Sequence, residues 1–119
     1  MEPNFHHEQI VDVEPVTSVS DLKRGDVIVF EIDDAKSVKR LIGLPGEKVE
    51  IRDGKIYIND EQLDESSYNP SLMRFNANFE PVILGGDEFF VLGDNRDNSS
   101  DSRRFGPISG SSILQKVVP

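Results

Sequence analysis

Two segments bring together residue types that could do chemistry. The first is Val38-Lys39-Arg40-Leu41-Ile42-Gly43-Leu44-Pro45-Gly46-Glu47, where a lysine stands inside an apolar run. Side chains alternate along a strand, so Lys39 shares a face with Leu41 while Val38, Arg40 and Ile42 occupy the other. With both faces covered, an ionised ammonium is costly, and desolvation favours the neutral amine. A neutral amine can take a proton from a serine hydroxyl and so act as a general base. Taken alone, a lysine in such a strand is more often an edge residue that points into water.

The second segment, Gly93 through Arg103, packs three aspartates, two asparagines, three serines and two arginines into eleven residues. A calcium loop is the obvious rival reading. Begun at Asp97, an EF-hand loop needs glycine at Ser102 and glutamate at Ile108; begun at Asp94, it needs glutamate at Phe105. Both registers fail. Two readings remain: a rigid loop of interlocking Asp–Arg pairs and side-chain-to-backbone hydrogen bonds, or a solvated polar turn. His6 and His7 are neighbours, and such pairs on loops are more often solvated than metal ligands.

The elements that must position these residues read as strands and turns. Lys23-Arg24-Gly25-Asp26 is a polar turn feeding Val27-Ile28-Val29-Phe30, an apolar run that suits a strand buried on both faces. Val38 to Ile42 is a second strand, stopped by Gly43-Leu44-Pro45-Gly46. Val49 and Ile51, then Ile56 and Ile58, alternate with polar residues around Asp53-Gly54, which matches a type I′ hairpin turn. A two-residue loop there pairs Ile51 with Ile56 and Val49 with Ile58 and puts all four on one face. Phe89-Phe90-Val91-Leu92 is a further buried strand, and Ile113 to Val118 a last one. Residues 61–81 are polar with no clean period and are expected to form an irregular insertion or cap, with room for a short helix. A mainly-β fold of short antiparallel strands and long connections follows.

Composition narrows the partners. The 119 residues carry 22 acidic and 13 basic side chains, a formal charge of −9, which disfavours nucleic acid. With no cysteine there is neither a disulfide framework nor a thiolate metal site. No run approaches the roughly 18 apolar residues that span a bilayer.

Together the two segments resemble the type I signal peptidases. In that family a Lys-Arg strand ends in a Gly-Leu-Pro-Gly-Asp-like turn, and a Gly-Asp-Asn-Arg-x-x-Ser-x-Asp-Ser-Arg segment lies downstream. Here they stand as Lys39-Arg40 with Gly43 to Glu47, and as Gly93 through Arg103; Glu47 replaces the usual aspartate. Lys23 to Phe30 is similar to the family's intervening Gly-Asp strand box. The family's Ser-Met-x-Pro-Thr box meets Met1-Glu2-Pro3-Asn4, with Met1 on the methionine, Pro3 on the proline and Asn4 in place of threonine. The resemblance thus implies a nucleophilic serine directly before Met1, and a single catalytic-core domain over 1–119 trimmed at both ends.

The resemblance further implies Lys39 as general base and Ser99 as the serine that aims its amine. Arg40, Asp94, Asn95, Arg96, Asp101, Ser102 and Arg103 would support the site, and Met1 and Pro3 would face the substrate. No metal or organic cofactor is implied. The implied activity is that of a membrane-bound serine endopeptidase removing signal peptides from secreted pre-proteins at Ala-x-Ala-like sites. Its anchor would lie upstream and its catalytic domain on the extracytoplasmic face of the cell membrane, with the substrate peptide bound as an added strand. The short segment between the Lys39 strand and Gly93 resembles Gram-positive members, which lack a large inserted β-domain. The alternatives are a non-catalytic homologue that binds or assembles, as in pilus formation, and the self-cleaving domain of SOS-response repressors, which shares the dyad and the fold.

Overall fold

Alternation and turn chemistry dictate most of the chain path. The computed structural model describes residues 12–64, 79–94 and 101–118. Among these, ten strands are formed: β1 (Val13–Pro15), β2 (Val27–Ile32), β3 (Ala35–Gly43), β4 (Lys48–Arg52), β5 (Lys55–Ile58), β6 (Glu61–Gln62), β7 (Phe79–Ile83), β8 (Glu88–Leu92), β9 (Ile108–Ser109) and β10 (Ile113–Val117). One α-helical turn, α1 (Ser102–Phe105), stands among them, with 3-10 turns at Val19–Asp21 and Gly110–Ser112. Pairing is antiparallel, in a six-stranded sheet ordered β1-β10-β2-β3-β8-β9 and a four-stranded sheet ordered β6-β5-β4-β7.

The β4–β5 hairpin turns at Asp53-Gly54, both at positive φ (52° and 76°), as a type I′ turn requires. Val49 faces Ile58 and Ile51 faces Ile56. All four are buried, so pattern and register agree. The strands expected at Val27, Val38, Phe89 and Ile113 are also present, three of them longer than anticipated. β2 and β3 extend into one hairpin whose turn is Asp33-Asp34, at φ 52° and 64°. Aspartate visits this left-handed region more readily than most residues, so no glycine is needed. The segment 61–81, expected to be irregular, carries strand at its two ends, in β6 and at the start of β7. Residues 65–78, where a short helix was allowed for, lie outside the described residues.

Two cores result. Ile28, Phe30, Leu41, Phe89 and Val91 belong to one, with Ile108 and Ile113. Ile42, Val49, Ile51, Ile56, Ile58, Phe90 and Leu92 belong to the other. Successive residues of β3 and β8 therefore serve opposite cores, which places the β3–β8 ribbon between the two. Gly43 sits where the chain leaves the first sheet for the second. A Cβ there would lie 2.6 Å from Val49 Cγ2 and 2.9 Å from both Leu84 Cδ1 and Phe90 Cβ, so only glycine fits without movement.

Candidate active site

Lys39 lies on β3 opposite Ile28 of β2, on the face it shares with Leu41, and is half-buried. Burial lowers its amine below the ordinary value of 10.5. The Asp101 carboxylate opposes that shift and the Arg103 guanidinium adds to it. The lysine is thus neither an edge residue in free solvent nor fully enclosed. β8 pairs with β3 only over Arg40–Gly43. Along Ala35–Lys39, β3 therefore has β2 on one side and no strand on the other among the described residues.

Beside that open edge runs a cleft of about 440 Å³, lined by Phe30, Ile32, Asp33, Ser37, Lys39 and Phe105. Phe105 is carried by α1 and meets Phe30 with ring centres 6.2 Å apart and planes tilted by 54°. The wall of the cleft thus depends on how α1 is held.

Asp101, Ser102 and Arg103 do that holding. Asp101, fully buried, caps α1 by accepting from the Arg103 backbone N–H at 3.1 Å. It also accepts from Gly93 N–H at 3.0 Å and from Arg103 Nε and Nη2 at 2.9 and 2.8 Å. Ser102 Oγ accepts from the Val91 N–H at 2.9 Å, which fastens the helix start to β8. One Asp–Arg pair within the Gly93–Arg103 segment, Asp101–Arg103, is thus present among the described residues, while Asp94 reaches out of the segment. It receives Arg40 Nε and Nη2, each at 2.7 Å, in a bidentate pair buried at both ends. Arg40 also donates to the Gly25 carbonyl at 2.8 Å, so one guanidinium joins β3, the β8 end and the Lys23–Asp26 turn.

A third bidentate pair was not anticipated from sequence. Arg24 donates to both Glu47 oxygens at 2.6 and 2.7 Å and to the Ile42 carbonyl at 2.8 Å. Glu47 in turn accepts from the Leu44 N–H at 2.7 Å, closing the turn after Gly43. Burial alone would raise the Glu47 carboxyl. The Arg24 hydrogen bonds, the Leu44 N–H and the Arg24 charge outweigh it, and the net shift is downward. The only pointer in the sequence was the Arg24-Gly25-Asp26 turn and the Gly-Leu-Pro-Gly-Glu turn, and nothing local couples them across 23 residues.

Of the residues singled out from sequence, Lys39, Arg40, Asp94, Asp101, Ser102 and Arg103 come together around the upper half of β3 and the end of β8. Met1, Pro3, Asn95, Arg96 and Ser99 lie outside the described residues. No helix among the described residues is long and apolar enough to cross a membrane.

The arrangement is a mainly-β scaffold with a half-buried lysine in the lining of a cleft. Over residues 1–119 the chain matches the family described as "Signal peptidase, peptidase S26", and it belongs to that family. It is 38% identical over 112 residues to signal peptidase I S of Bacillus subtilis, covering 87% of this chain and 61% of that protein. To the probable signal peptidase I-2 of Synechocystis it is 33% identical over 126 residues, covering 98% of this chain and 56% of that protein. The chain therefore spans about three fifths of the length of these curated relatives. Among solved structures, a signal peptidase I from Enterococcus faecalis superposes with a TM-score of 0.69 at 34% identity. That match covers 86% of this chain and all of the other.

Proposed function

We propose that this chain is the catalytic core of a membrane-anchored serine endopeptidase that removes signal peptides from secreted pre-proteins, with Lys39 as its general base. The observation that carries the reading is the Lys39 amine, lowered by burial and set at the head of the cleft. In this reading the nucleophile is a serine in the position before Met1, and Ser99 aims the lysine. The serine oxygen attacks the scissile carbonyl while Lys39 Nζ takes its proton. The resulting ammonium returns that proton to the leaving amine, and water then clears the acyl-enzyme. The pre-protein lies along Ala35–Val38 as an added strand, on the side of β3 where, among the described residues, β8 has already ended its pairing. The Arg40–Asp94 and Asp101–Arg103 pairs keep β3, β8 and α1 in fixed relation, and so hold Lys39 to one geometry.

The test uses the full-length protein in detergent with a radiolabelled pre-protein. Lys39→Ala loses about 10²–10⁴ in rate or more, and Lys39→Arg fails equally, because a guanidinium is not deprotonated in proteins. Ser99→Ala keeps partial activity. Only the neutral amine is active, so the rate rises with pH along a limb whose midpoint lies below 10.5. Full turnover in Lys39→Arg, or signal-peptide binding with no cleavage by the unmodified protein, would overturn the proposal.

A further inference from the structure

We propose that Asp33 is a specificity residue whose carboxylate, at the end of the cleft remote from Lys39, selects a cationic substrate side chain four or five residues from the scissile bond. The inference rests on the function proposed above and concerns the same cleft.

The geometry follows from the β2–β3 hairpin. Lys39 faces Ile28 and Ala35 faces Ile32, with Asp33 next along the chain at the turn. Ala35 and Lys39 are four residues apart on one strand, or about 13 Å at the usual rise per residue. An extended peptide along that edge advances at the same rate. When its scissile bond lies at the Lys39 amine, the side chain four or five residues away reaches Asp33.

The chemistry along the way is uneven. Phe30, Ile32 and Phe105 make the middle of the cleft apolar, with Ser37 its one hydroxyl. Among the described residues Asp33 is the only carboxylate in the lining, and it forms no ion pair or hydrogen bond with another of them. The neighbouring charged residues do not line the cleft. Glu31 faces Lys36 across the hairpin, and neither is among the residues that line the cleft. Asp34 shares the turn and the left-handed backbone of Asp33 but does not line the cleft. A cation at the near end would instead meet Lys39.

The experiment uses the full-length protein and a set of Ala-x-Ala peptides with lysine or glutamate placed singly at each position up to seven residues on either side of the bond. The ratio of kcat/KM for lysine over glutamate is read at each position. We expect one position, four or five residues away, with a ratio of about two- to five-fold, as befits an exposed pair. The ratio falls toward one in Asp33→Asn, which keeps the shape and tolerates the backbone. It also shrinks as salt is raised. Asp34→Asn, which alters net charge equally, leaves it unchanged. Cleavage with no Asp33-dependent ratio, or an equal loss in Asp34→Asn, overturns the inference and leaves the proposed function standing. Failure to cleave any of the peptides overturns both.

Discussion

Replacing Asp94 by asparagine keeps the shape of the side chain and removes its charge. Arg40, 6% exposed, then keeps its bond to the Gly25 carbonyl but faces an amide where two carboxylate oxygens stood at 2.7 Å. A buried pair broken on one side leaves a charge in low dielectric, at a cost of about 3–5 kcal/mol. Against the roughly 5–15 kcal/mol that stabilises a typical domain, that is a large fraction. Urea unfolding followed by circular dichroism reads it as a lowered midpoint at unchanged slope. Because the pair is enclosed, the loss should persist at about 1 M salt, where the Debye length has shrunk to about 3 Å. The double substitution Arg40→Met with Asp94→Leu should recover most of it, since apolar replacements of buried pairs are often neutral. A loss below about 1 kcal/mol, or one that salt abolishes, would refute the argument that burial makes this pair matter.

Two further outcomes follow from the same scaffold. The Glu47 carboxyl is held below its ordinary 4.5, so its contribution is complete above that value and is lost as pH falls through the lowered folded one. Glu47→Gln should flatten that part of the acid unfolding profile, and an unchanged profile would show that Arg24 does not hold the carboxylate. Gly43→Ala should cost about 1–3 kcal/mol in thermal or urea unfolding through overpacking against Val49, Leu84 and Phe90; a neutral result would mean the two sheets can separate freely there.

What sequence could and could not reveal divides by distance along the chain. The β4–β5 hairpin was legible because its turn, alternation and register all lie within eleven residues, and each constrains the others. The Asp33-Asp34 turn was missed because reading for turns looks first for glycine, whereas here two aspartates take the left-handed backbone. Asn59-Asp60, at φ 51° and 71° between β5 and β6, was missed for the same reason. α1 is a single turn, too short for any helical period, and only the Asp101 cap marks its start. The two segments stood out by their own residues, whereas the roles of the residues within them came only with the resemblance to the type I signal peptidases. That Asp94 of one pairs with Arg40 of the other, across 54 residues, is a tertiary fact that neither segment carries.

The ribbon between the two cores has a consequence for how the chain knows its own alignment. A strand with one greasy face cannot shift by one residue, because its apolar set would turn to water. β3 and β8 have no such safeguard near their junction. Leu41 and Ile42, like Phe89, Phe90, Val91 and Leu92, are buried whichever way they point, so a slip of one residue would exchange one core's side chains for the other's at little hydrophobic cost. What forbids the slip is polar. Moved by one, Arg40 would turn from Asp94 into the apolar face now holding Leu41, and Gly43 would leave the one spot where a Cβ cannot fit. The buried pair and the glycine therefore act as an alignment code for a ribbon whose apolar pattern is ambiguous. By the same token, the Arg40→Met/Asp94→Leu chain would regain its stability while leaving Gly43 alone to keep Lys39 in its single pairing.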